Sequence, residues 1–177
     1  MQHPVPITHK RYIGIAALLY FLLGGFILFK YGIQLGGEAE KYIDNANRIL
    51  RHDTLRNGIF GIFYFTYSVI VAFFIHFSVP LNGVAIVQLV LSFVAGWCLY
   101  RLLLDLLQKE GIALLFFLAY LLCYPIQKWN FYLYSESLHT SLLMIATYLL
   151  YRALHLNTFK AWLAVGLLCL AVAFSRP

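Results

Sequence analysis

The chain has 177 residues, of which 62% are hydrophobic and only 11% are charged, and its mean hydropathy is +0.79. A soluble domain is about 45–50% apolar and about 25% charged, so this composition excludes an ordinary soluble domain and predicts an integral membrane protein. The net charge is +6. Because the basic residues lie between apolar runs, they predict helix orientation and contact with anionic lipid head groups, and no nucleic-acid partner.

The apolar runs predict an all-α fold, a polytopic transmembrane bundle of about five to six apolar helices. A spanning helix needs about 20 predominantly apolar residues. The predicted transmembrane helices are 12–29, 84–104, 112–126, 137–151 and 161–175. Lys10 and Arg11 precede the first helix, so the positive-inside bias predicts a cytoplasmic N-terminus.

A polar segment, 34–58, interrupts the apolar runs and is predicted to be an outer loop. It contains the pair Gly36-Gly37 and four of the seven carboxylates, namely Glu38, Glu40, Asp44 and Asp53. Its apolar residues recur every three or four positions, at Ala39, Tyr42, Ile43, Ala46, Ile49 and Leu50. This spacing predicts an amphipathic helix that lies in the membrane interface.

The aromatic-rich run 59–79 leaves two topologies open. If it spans the membrane, Glu38 and Glu136 lie on opposite sides. If it is interfacial or re-entrant, they lie on the same side. The second topology also makes four later basic residues cytoplasmic, which the positive-inside bias favours. These residues are Arg101, Lys109, Arg152 and Lys160.

Three residues are the main candidates for chemistry. Glu38 directly follows the helix-breaking pair Gly36-Gly37 and is predicted to lie at the membrane surface. A carboxylate there can act as a general base or bind a divalent metal. Glu136 lies at the lip of an apolar helix, where an ionised group needs a partner. Arg176 follows the last apolar run, and arginine is suited to bidentate contact with phosphate.

The order of these features resembles the N-terminal part of polytopic GT-C glycosyltransferases of the protein mannosyltransferase and aminoarabinose transferase type. The matching features are a first helix, an acidic loop with Tyr42 and an amphipathic helix, and a Tyr-rich segment. They continue with Val87-Gln88-Leu89-Val90-Leu91, a helix that ends at Pro125, Ser135-Glu136-Ser137-Leu138, and Ser175-Arg176-Pro177.

The resemblance implies a lipid-linked sugar donor, a polyprenyl phosphate, and an acceptor of unknown identity. It implies catalytic roles for Glu38 and Glu136, which would also be the ligands of a divalent metal such as Mg²⁺ or Mn²⁺. Glu40 is the alternative first-loop acid. The residues expected at the substrate are Glu40, Lys41, Tyr42 and Arg176, and the basic ones would offset the charge of the leaving phosphate.

Members of this family usually carry more membrane segments than this chain offers. We therefore expect the N-terminal part of a longer protein, from a bacterial inner membrane, which can be inactive alone. The alternative is a small non-enzymatic membrane protein, either transporter-like or an assembly subunit. A transporter would carry ionisable groups at mid-membrane, whereas these carboxylates cluster at helix ends.

Overall fold

The computed structural model describes residues 7–53 and 64–176, and the side chains from residue 11 onward. The predictions that concern the first six residues, the end of the polar loop, the first five residues of the run 59–79 and Pro177 lie outside this range. Within it, the fold is all-α as predicted. The one β feature among these residues is an isolated parallel bridge between Gln34 and Tyr132.

The described residues form helices of very different lengths. In chain order they are α1 (Ile7–Tyr31), α2 (Ala39–Leu50), α3 (Phe65–His76), α4 (Asn82–Leu107), α5 (Glu110–Leu122), α6 (Tyr124–Gln127), a 3₁₀ helix (Lys128–Phe131), α7 (Ser135–Leu156) and α8 (Phe159–Ala173).

Within residues 7–53 and 64–176, two helices are long and apolar enough to cross a membrane, α1 over Arg11–Tyr31 and α4 over its whole length. A third span exists if α5 and the following Tyr124–Phe131 segment, bent by 50°, are taken as one. The predicted count of five to six apolar spans is not confirmed. Helix α8 has 15 residues and α3 has 12. A helix of 12 residues is only about 18 Å long, against a hydrocarbon core of about 30 Å.

The predicted helix 112–126 is shorter at its C-terminal end. Helix α5 ends at Leu122, because Cys123 has an extended backbone with φ −70° and ψ 91°. Pro125 then lies in the first turn of α6. A proline has no backbone N–H, and its ring clashes with the carbonyl of the residue four positions earlier, so α5 cannot continue through position 125. Proline is tolerated in a first helical turn, so a new helix begins here.

Helix α2 packs on α3 through the apolar face that its spacing predicts. Ala39, Tyr42 and Ala46 are buried, and they join a core cluster with Tyr67 and Leu138. The small alanine side chains allow the two helices to approach closely. A second cluster, around Phe117 and Tyr100, holds α1, α4 and α5 together.

A buried network of polar side chains joins α1, α4 and α7 at the α5–α6 break. The side-chain oxygen Oε1 of Gln127 accepts hydrogen bonds from Tyr20 Oη (2.8 Å), Ser92 Oγ (3.1 Å) and Asn130 Nδ2 (2.8 Å). Gln127 Nε2 donates to the Tyr120 carbonyl (2.9 Å), and Asn130 Oδ1 accepts from Ser137 Oγ. In an apolar surrounding such groups must be satisfied within the protein, so the network fixes where α7 begins.

We expect Gln127→Leu to destabilise the protein by roughly 2 kcal/mol, since four hydrogen bonds within a membrane protein are lost. Thermal unfolding in detergent micelles measures the change. Gln108→Leu, at an exposed position, is the control and should leave the midpoint nearly unchanged. Equal midpoints for the two variants would show that the network does not hold the helices.

Candidate functional site

A parallel bridge brings the first loop against the start of α7. Gln34 N donates to the Phe131 carbonyl (2.7 Å), and Leu133 N donates to the Gln34 carbonyl (3.0 Å). The Tyr134 ring lies directly over Gly36, where a Cβ would collide with its hydroxyl end. Any side chain at position 36 would therefore have to displace the Tyr134 ring. The predicted acidic loop and the predicted Glu136 segment consequently meet at one end of the bundle.

Glu136 and Arg176 form an ion pair at this end. Arg176 Nη2 lies 3.6 Å from Glu136 Oε1, and the Glu136 side chain is 19% exposed. Glu136 lies in the first turn of α7, where the helix dipole favours a carboxylate. Its second oxygen, Oε2, is buried and has no hydrogen-bond partner among the described residues. This carboxylate therefore has one oxygen engaged and one with unused hydrogen-bonding capacity.

Tyr42 connects α2 to the start of α7, next to Glu136. Its ring is 2% exposed and contacts the Tyr64 and Tyr67 rings edge-on, with centroids 5.5 and 4.8 Å away. Its hydroxyl shares a hydrogen bond of 3.0 Å with Ser135 Oγ, next to Glu136. Tyr42 thus holds α2 on α7, and its ring does not face solvent.

The two predicted catalytic carboxylates both act on Tyr42. Burial raises the pKa of Tyr42, the hydrogen bond from Ser135 lowers it, and the negative charges of Glu136 and Glu38 raise it further. Tyr42 therefore stays a neutral hydroxyl at neutral pH. Glu38 precedes Tyr42 by about one helical turn, and Glu136 follows Ser135, the hydrogen-bond partner of Tyr42, so both carboxylates lie near this side chain.

Glu38 has a more open environment than Glu136. It precedes α2 as the N-cap residue, and its side chain is 47% exposed. Lys41 Nζ lies 3.6 Å from its Oε1, in a local pair whose lysine is 65% exposed. Glu40, the alternative acid, is exposed on the first turn of the helix. An exposed carboxylate can reach a substrate from outside the bundle, whereas Glu136 is largely buried and paired with Arg176.

Gln88 is a residue of this region for which the sequence alone suggests no role. It is 1% exposed, and its Nε2 donates to Tyr67 Oη (3.2 Å) and to the carbonyls of Tyr132 (3.3 Å) and Tyr134 (2.9 Å). Gln88 thereby ties α4 and α3 to the strand-like segment before α7. A lone glutamine within a long apolar helix is the signal that points to it.

A second contact supports the Glu136–Arg176 pair. His139 Nδ1 lies 2.8 Å from Ser175 Oγ, and this hydroxyl donates to the Val172 carbonyl (2.7 Å). Because the serine proton is used in that bond, His139 Nδ1 must be the donor to Ser175. Ser175 is completely buried and directly precedes Arg176. The imidazole therefore anchors the segment that carries the arginine.

The divalent metal stays a prediction. Within 7–53 and 64–176, no group of three or more His, Cys, Asp or Glu side chains could hold a metal ion. Mg²⁺ can be bound by one or two carboxylates together with substrate phosphates, so Glu38 and Glu136 would still suffice. Each of them already has a cationic neighbour, Lys41 or Arg176.

No protein-family model, no curated protein and no solved structure matches this chain.

A pair of double-mutant cycles tests whether Glu136 and Arg176 are coupled. We expect a coupling free energy of at least about 1 kcal/mol from Glu136→Gln and Arg176→Gln, because loss of one partner leaves the other charge sheltered and unpaired. Denaturant unfolding in mixed micelles gives the four stabilities.

The matched control is the cycle of Glu38→Gln and Lys41→Gln. This pair has the same separation of 3.6 Å but is exposed, so we expect a coupling below about 0.5 kcal/mol. Couplings of the same size in the two cycles would contradict the difference in environment.

The tautomer of His139 predicts which substitution preserves the anchor. His139→Asn keeps a donor near the position of Nδ1, so it should retain the stability of the parent protein. His139→Gln carries its amide at the position of Nε2 and should lower the unfolding midpoint, although glutamine is the better helix former. A midpoint for the glutamine variant at or above that of the asparagine variant would exclude the Nδ1–H bond.

Proposed function

We propose that this chain carries part of the active site of a membrane glycosyltransferase. The enzyme would move a sugar from a polyprenyl-phosphate donor to an acceptor on the extracytoplasmic side of a bacterial inner membrane. The resemblance of the sequence suggests the reaction class. The observation that carries the proposal is that the Glu38–Tyr42 segment, Glu136 and Arg176, which are distant from one another in sequence, lie together at one end of an apolar helix bundle.

The four residues differ in environment, and this suggests a division of roles. Glu38 is half exposed, so it would accept the proton of the acceptor hydroxyl as general base. The acceptor oxygen would then bond to the anomeric carbon of the sugar. The bond between that carbon and the phosphate oxygen would break, and the polyprenyl phosphate would leave with the electron pair.

Arg176 would bind the phosphate in this reaction. A guanidinium is always charged and matches phosphate oxygens bidentately, and the Arg176 side chain is 50% exposed, so it can reach a ligand. Glu136 would hold the guanidinium in place from the protein side. Lys41, beside Glu38, would add positive charge near the leaving group.

A non-enzymatic membrane subunit is the second candidate. It is favoured by the Glu38–Lys41 contact, a local and exposed pair of a kind that many surface helices carry without any catalytic role. The two candidates differ in whether a polyprenyl phosphate is bound at all.

Binding of polyprenyl monophosphate to the detergent-solubilised protein tests the proposal. We expect Arg176→Gln and Glu136→Gln to weaken binding about tenfold or more, since a hydrogen bond to a charged group is lost. Arg51→Gln, which removes an exposed cation at the end of α2, is the control and should leave the affinity unchanged. Equal affinity for polyprenyl phosphate and neutral polyprenol would contradict the proposal.

The role of Glu38 has its own readout. In membranes that support transfer from a radiolabelled polyprenyl-phosphate sugar, Glu38→Gln should abolish transfer and leave binding of the lipid phosphate intact. Transfer at the rate of the parent protein in this variant would rule out the role as general base.

A further inference from the structure

A large apolar groove begins beside the Gln34–Tyr132 bridge, and Glu38, Tyr42, Glu136 and Arg176 do not line it. It has a volume of about 780 Å³ and runs between α1, α5 and the 3₁₀ helix. Its walls include Leu19 and Leu23 of α1 and Leu118 and Leu122 of α5. Leu23 and Leu122 are 57% and 77% exposed, so the groove is open along its side. Because α1 is a candidate membrane span, this open side faces hydrocarbon in a bilayer.

The two ends of the groove differ in polarity. Gln34, Lys128, Asn130 and Tyr132 line the end near the start of α7. Lys128 is the charged residue among the described lining residues, and none of these is acidic. Its Nζ lies 4.6 Å from the Trp129 ring centroid. A second amine, Lys30, lies 5.1 Å from the ring of Tyr31, which also lines the groove. The polar end therefore has a positive electrostatic character.

The solvent of a membrane protein determines what can occupy such a groove. Lipid tails are as apolar as leucine, so an acyl chain gains little by leaving the bilayer for apolar walls. Selectivity must therefore come from the head group. A lysine near the membrane surface attracts anionic lipids, and long basic side chains extend to the head-group level.

We propose that this groove binds an anionic bilayer phospholipid. One acyl chain lies along α1 and α5, and the phosphate lies against Lys128, with the amide of Gln34 as a further donor. None of the residues that carry the proposed transferase site lines the groove. Lipid binding in the groove is therefore independent of that function, and the lipid would hold α1 against α5 whether or not the chain is an enzyme.

Fluorescence quenching of Trp129 tests the proposal. In a Trp97→Phe/Trp162→Phe background Trp129 is the single tryptophan, and it lies beside Lys128. The protein is reconstituted into vesicles of phosphatidylcholine and phosphatidylglycerol, in which bromine is carried by the acyl chains of one lipid or the other. We expect phosphatidylglycerol to associate roughly fivefold more strongly at this site, from one lysine near the surface.

Two variants and one condition decide the outcome. Lys128→Gln should abolish the preference for phosphatidylglycerol. Lys160→Gln, in the first turn of α8 and outside the groove, should keep it. In the unmodified site the preference should fall as ionic strength rises, since charge causes it. This measurement needs no variant at Lys128, so it holds even if Lys128→Gln fails to fold.

Three results would overturn the proposal. They are equal quenching by the two brominated lipids, equal loss of the preference in the Lys128 and Lys160 variants, and full displacement of brominated phosphatidylglycerol by one equivalent of polyprenyl phosphate. The last result would assign the groove to a lipid-linked donor.

Discussion

The arrangement depends on how polar groups are satisfied between the first loop and the start of α7. Gln34 exchanges backbone hydrogen bonds with Phe131 and Leu133, and Tyr42 bonds Ser135. In an apolar surrounding an unpaired backbone group is costly, so two segments that both leave the helical conformation here satisfy each other. This contact brings the acidic loop next to Glu136, and without it the candidate residues would have no common site.

The sequence was sufficient for the general features of the fold. The all-α class follows from composition, and the buried face of α2 follows from the spacing of Ala39, Tyr42 and Ala46. The number of spans did not follow, because apolar content does not determine where a helix stops. The run that ends near Pro125 shows this, since Cys123 turns to an extended conformation and the path bends by 50°.

The candidate site residues can be found in the sequence, but their contacts cannot. Glu38, Glu136 and Arg176 are visible in the sequence, because charge is rare in this chain. Their interaction partners cannot be read from the sequence, since an ion pair between positions 136 and 176 depends on the packing of α7 against α8. The tautomer of His139 depends on its contact with Ser175, which is distant in sequence. Whether the predicted residues bind a substrate remains a prediction.

Environment separates two carboxylates that look alike in the sequence. Glu38 and Glu136 each have a basic neighbour at 3.6 Å, but one pair is exposed and formed within a single helical turn, while the other joins two helices. Solvent screens the first pair and screens the second less. The same end of the bundle also carries Lys128 and Lys30 beside the apolar groove. Positive charge is thus available to lipid phosphate at two separate positions.

A site shared by Glu38 and Arg176 requires that the acidic loop and the end of α8 lie on the same side of the membrane. Labelling with a membrane-impermeant maleimide tests this directly, in a background without Cys98, Cys123 and Cys169. Lys41→Cys and Arg176→Cys replace exposed side chains and should react from the same side of sealed vesicles, whereas Lys160→Cys should react from the other. Reaction of positions 41 and 176 from opposite sides would contradict a shared site.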